Sequence, residues 1–122
     1  MVIRRTKMIV VSLSLLCIAP LADAHAILLT AKPAVGQVVQ GPRVEVTLRF
    51  NSRIDAQRSR ITLVDPAVKP HALPIRLQSS PDSLTSEADG LTAGDYVLQW
   101  QVLAVDGHIT RGEVRFRVRE GD

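Results

Sequence analysis

Apolar and polar residues alternate along most of this chain. Val44, Val46, Leu48 and Phe50 are separated by Glu45, Thr47 and Arg49, and Ile61 and Leu63 repeat the pattern in the run SRITLVD. Tyr96, Leu98, Trp100 and Val102 share one face of DYVLQWQVLAV, and Val114, Phe116 and Val118 interleave with Arg115, Arg117 and Arg119. A period of two residues marks strands with one face in a core and the other in water. Turn formers punctuate the pattern at Pro33, Gly36, Gly41-Pro42, Pro66, Pro70, Pro81, Gly90 and Gly94. Strands are predicted near residues 26–30, 38–40, 44–50, 60–65, 73–78, 83–88, 95–104 and 112–119, with no sustained helical period after residue 24. Seven to eight such strands describe an all-β, immunoglobulin-like sandwich of two sheets. The run LTAGDY reads as the entry to a tyrosine corner, with Tyr96 opening a long central strand and Trp100 turned inward. Arg115, Arg117 and Arg119 are then the solvent face of a strand, not an anion site.

The first 24 residues follow a different pattern. Arg4, Arg5 and Lys7 precede an apolar run from Met8 to Ile18, and Ala22-Asp23-Ala24 closes the segment. Basic start, short apolar middle and A-x-A end are the anatomy of a cleavable secretory signal, and the run is too short for a membrane span. The Arg4-Arg5 pair fits twin-arginine export only loosely, so the ordinary secretory route is expected. Cys17 follows bulky Leu16 and does not read as a lipoprotein cysteine. Cleavage after Ala24 leaves residues 25–122 as one small domain.

Cleavage changes the composition. Removing Arg4, Arg5, Lys7 and Asp23 from 15 basic and 12 acidic residues leaves a net charge of +1, so no nucleic-acid or membrane partner follows from charge. Met1, Met8 and Cys17 leave with the signal. The mature domain has no sulfur, hence no disulfide, no thiolate nucleophile and no soft metal ligand.

Three histidines remain as chemistry: His25, His71 and His108. His25 becomes the amino terminus. Its α-amine and imidazole can close on one metal in a small chelate ring, and an α-amine, with a reference pKa of about 7.7–8.0, yields its proton to a metal near neutrality. His108 lies two residues after Asp106 in VDGHITRG. In an extended segment these positions share a face. An amine, two imidazoles and a carboxylate form an N,N,N,O set that suits tetragonal Cu(II); Zn(II), which prefers a tetrahedron, is the other candidate ion. His71 is expected in a Pro-flanked loop, VKPHALP, as a surface imidazole, and Asp55, Asp65, Asp82 and Asp89 read as turn or capping groups.

These residues carry a family resemblance. HAILLTAKPAVGQVV, PRVEVTLRFN and LTAGDYVLQWQVLAVDGHITRGEVRFRV together resemble the CopC family of periplasmic copper-binding proteins (copper resistance protein C, PcoC, YobA). The last block is the most specific, with Gly94, Tyr96, Trp100, Asp106, Gly107, His108 and Gly112 in register. The resemblance implies a Greek-key β-sandwich, immunoglobulin-like or cupredoxin-like, located in the periplasm. It implies one Cu(II) per chain held by His25, Asp106 and His108. It also implies an inner-membrane copper transporter (CopD-like) or another periplasmic copper protein as partner to a monomer. The methionine-rich Cu(I) site of some members has no counterpart, since residues 66–80 lack methionine, which marks a Cu(II)-only member. Where relatives place an acidic residue after the phenylalanine, this chain has Asn51, Ser52 and Arg53, and so less negative charge.

The expected function is that of a periplasmic copper(II) carrier or buffer, not an enzyme. Two other readings stay open: a copper-brace oxidative enzyme, which also uses an N-terminal histidine, and a metal-free immunoglobulin-like module that docks through an edge strand.

Overall fold

The computed structural model describes residues 25–65 and 67–121. The signal segment expected over residues 1–24, with Arg4-Arg5 and Cys17, lies outside them. Eight strands form: β1 (Leu28–Lys32), β2 (Val38–Gln40), β3 (Val44–Phe50), β4 (Ile54–Asp65), β5 (Val68–Leu73), β6 (Ser83–Ala88), β7 (Gly94–Ala104) and β8 (Ile109–Arg119). They build a three-stranded sheet, β1-β3-β6, and a five-stranded sheet, β2-β8-β7-β4-β5. All pairings are antiparallel except β2 with β8.

The alternation in the sequence sets the core. Val44, Val46, Leu48 and Phe50 of β3 face Ile61 and Leu63 of β4, the inner residues of β7, and Val114, Phe116 and Val118 of β8 in one buried cluster. Ser86 is the buried polar residue of β6, and its hydroxyl donates to the Pro74 carbonyl at 2.7 Å. The outer arginines of β8 are exposed, and two of them are paired: Arg115 with Glu113 at 3.2 Å and Arg117 with Asp95 at 2.7 Å.

The tyrosine corner forms as the sequence indicates. Tyr96 is buried, stacks on Phe116, and donates its hydroxyl to the Thr92 carbonyl at 2.8 Å. Tyr96→Phe strands that carbonyl at a cost of about 1 kcal/mol. In a domain of this size the melting temperature should fall by about 4–8 °C, read by calorimetry.

Four element boundaries depart from expectation. β1 runs from Leu28 to Lys32, because its ladder starts opposite Phe50, the last residue of β3, while Ile27 bonds Asn51 beyond it. β4 begins at Ile54, not near residue 60, because a large bulge interrupts a longer strand: pairing jumps from Asp55↔Leu103 to Arg60↔Gln101. The Asp55 carboxylate caps the bulge by accepting the Gln57 and Arg58 amides at 3.1 and 3.2 Å, and the Ser59 hydroxyl accepts the Leu103 amide at 3.1 Å. β5 spans Val68–Leu73, so His71 lies in an edge strand and not in a loop. Pro70 is tolerated there because an edge strand can leave one side of its ladder unpaired. The strand expected at 73–78 is absent beyond Leu73, and Arg76 makes a single backbone bond to Thr85 at 2.9 Å. β8 starts at Ile109 because its ladder with β7 runs to Leu103↔Ile109, up to a tight turn.

Candidate metal centre

That turn is built from Ala104 to His108. The Gly107 amide donates to the Ala104 carbonyl and the Ala104 amide to the His108 carbonyl, both at 2.9 Å. Gly107 has φ +94°, a left-handed conformation that side chains rarely adopt, which explains the glycine between Asp106 and His108. The Asp106 carboxylate accepts the His108 amide at 3.1 Å, and its Oδ1 lies 3.3 Å from His108 Nδ1. The His108 amide, then its imidazole, hold the Asp106 carboxyl below the usual carboxylate range. Asp106 therefore remains a negative donor at lower pH than an ordinary aspartate.

His25 arrives from the other sheet. Ala26 is 2% exposed and sits in the core, which turns both of its neighbours outward. The His25 ring lies edge-on to the His108 ring, with centroids 5.8 Å apart and planes at 77°. Bonds of about 2.0–2.1 Å to imidazole nitrogen place two rings on a shared ion at centroid separations of roughly 4.5–6.2 Å. The observed separation lies inside that range.

The loop of residues 51–53 joins these halves. The Ile27 amide donates to Asn51 Oδ1 at 2.7 Å, and the Asn51 amide donates to the Ile27 carbonyl at 3.0 Å. On the other side the Val105 amide donates to the Arg53 carbonyl at 3.1 Å. The loop is itself pinned by Phe50 to Asp82 and Ile54 to Pro81, each at 2.9 Å. In the sequence these residues stand out only as a missing carboxylate. The available signal was an asparagine directly after a core strand residue, a side chain given to bonding nearby backbone.

His108 thus neighbours both His25 and Asp106, whereas His71 is remote. It pairs with Leu63, which pairs with Leu98, six residues along β7 from the turn at Ala104, a strand distance of about 20 Å. Among the described residues, no three His, Cys, Asp or Glu side chains already enclose a common point. Asp106 and His108 are turned toward each other, with side chains 36% and 55% exposed, so both have room to rotate. Val105 and Ile109, next in sequence to Asp106 and His108, and Ile27, two residues after His25, are exposed apolar residues.

Residues 28–119 match the CopC domain. The chain belongs to the CopC family. Copper resistance protein C of Pseudomonas syringae pv. tomato is 28% identical over 127 residues, covering 98% of this chain and all of that relative. The crystal structure of CopC from Methylosinus trichosporium OB3b superposes with a TM-score of 0.71 at 31% identity, over 80% of this chain and 97% of that one. PcoC of Escherichia coli, a methionine-rich copper resistance protein, shares the fold with a TM-score of 0.64 at 23% identity, over 78% of this chain and 99% of that one. This CopC-family chain differs from PcoC in the feature that describes PcoC, since Met1 and Met8 are its only methionines and both precede residue 25.

Proposed function

We propose that this CopC-family protein is a periplasmic Cu(II) carrier or buffer. Cleavage after Ala24 would give residue 25 a free α-amine. That amine, the His25 imidazole, His108 and Asp106 then hold one Cu(II) per chain. The observation that carries the reading is the juxtaposition of the His25 and His108 rings, 5.8 Å apart, beside the Asp106 carboxylate. Three nitrogens and one oxygen suit a tetragonal Cu(II) ion, and the absence of sulfur after residue 24 disfavours Cu(I). Closing the set requires His108 and Asp106 to exchange their mutual contact for the metal, a rotation of two exposed side chains.

Carriage is favoured over oxidative catalysis on polysaccharides. Such an enzyme needs an open metal position and an exposed aromatic platform. Here Asp106 competes for the position, and Phe50, Tyr96, Trp100 and Phe116 are all buried. The exposed apolar residues beside the centre suit a transfer partner, either an inner-membrane copper transporter or another periplasmic copper protein.

Acid should release the metal by protonating the nitrogen donors. Asp106, held low by His108, is the last of these donors to be protonated. Following the Cu(II) visible band against pH should show a steep release that takes up more than one proton per ion. Release with uptake of a single proton would mean that the nitrogen donors do not hold the ion together.

A further inference from the structure

The geometry points to Asn51 as the residue that positions the copper-binding amino terminus. This inference rests on the Cu(II) reading above and names a residue outside its ligand set. His25 belongs to the β1 side of the sandwich, and Asp106 and His108 belong to the β7–β8 turn. Besides the shared core, the loop of residues 51–53 ties the two together by hydrogen bonds to both. On its turn side the tie is a backbone bond from Val105 to Arg53. On its amino-terminal side it is a two-bond clamp on Ile27, half backbone and half side chain. The side-chain half, from the Ile27 amide to Asn51 Oδ1 at 2.7 Å, is the shorter bond and the one a substitution can remove.

Only Ala26 separates Ile27 from His25, and Ala26 is fixed in the core. The clamp and the buried methyl together hold residue 25 facing His108 before any metal arrives. Without the Asn51 oxygen, the segment keeps one bond to the loop and frays. Copper must then order it during binding, and affinity falls by the conformational freedom it removes. Restoring part of the lost order of two residues lowers affinity roughly 10–100-fold. The loop anchors at Asp82 and Pro81 do not involve the Asn51 side chain, so the fold itself is retained.

The test compares wild type, Asn51→Ala and Asn51→Asp, each beginning at His25. Three readouts are Cu(II) affinity by chelator competition, the Cu(II) EPR spectrum, and amide exchange at Ile27 in the metal-free protein. Asn51→Ala should bind copper roughly 10–100-fold more weakly and exchange the Ile27 amide at least about tenfold faster, with its melting temperature little changed. Asn51→Asp keeps an acceptor oxygen and should restore the slow Ile27 exchange, with affinity at or above wild type because of its added negative charge. If Ile27 exchanges faster in Asn51→Ala while affinity and spectrum match wild type, the positioning role is overturned and the Cu(II) reading stands. If wild type itself shows no nitrogen-coupled Cu(II), the metal reading fails and this inference fails with it.

Discussion

One alanine placed ahead of His25 should weaken Cu(II) binding by roughly 10²–10⁴-fold, because it removes a donor linked to another on the same residue. The extension converts the amine to an amide and opens the chelate ring, while the His25 imidazole, His108 and Asp106 remain. Nothing in the core changes, since Ala26 keeps its place and Ile27 its bonds to Asn51. The melting temperature of the metal-free protein should therefore match that of the unextended form, and only the stabilisation by added Cu(II) should shrink. Chelator competition on the two forms, with His108→Ala alongside, separates amine loss from imidazole loss. Equal affinity with and without the extension would remove the amine from the mechanism.

The largest stability effect is expected at Gly112, six positions beyond Asp106 on β8. Gly112 is directly opposite Trp100 in the β7–β8 register. A Cβ built there would lie 2.3 and 2.6 Å from two carbons of the Trp100 ring, well inside van der Waals contact. The ring cannot easily retreat, being 7% exposed and packed edge-on against Phe50 with centroids 5.2 Å apart. Gly112→Ala is thus an overpacking change at a rigid site, with a cost of about 3 kcal/mol. That corresponds to a drop of roughly 12–24 °C in melting temperature for a small domain. Urea denaturation of Gly112→Ala, Trp100→Leu and the double variant tests the cause. The double variant should be more stable than the sum of the singles implies, because removing the ring removes the clash. A Gly112→Ala protein as stable as wild type would show that Trp100 does not pack on that backbone.

Much of this architecture is legible along the chain because its strands are half-buried. Where apolar and polar residues strictly alternate, as in β3, β7 and the later part of β8, the predicted and observed strands agree closely. The disagreements share a cause. The first half of β4 is hidden because its bulge places four residues, 56–59, opposite one position of β7, which destroys the alternation. β5 contains Pro70, is flanked by Pro66 and Pro74, and pairs on one side only, so its pattern resembles a loop.

The candidate centre divides in the same way. Asp106 and His108 are two residues apart with a glycine between, and local geometry alone brings them together. Their nearness to His25 is tertiary and follows from the β1–β3 pairing and the β7–β8 turn meeting at one loop. Asn51 had no ligand chemistry to attract attention. Its importance lies in which backbone it reaches, and that backbone is 24 residues away.

The most direct test of the copper centre is Cu(II) EPR on the exported protein, with its first residue established by intact mass and its nitrogen replaced by ¹⁵N. The account predicts a chain that starts at His25 and binds one Cu(II). Its tetragonal spectrum should show coupling to three nitrogens that changes with the isotope. A chain that starts elsewhere, or a copper spectrum insensitive to ¹⁵N, would contradict it.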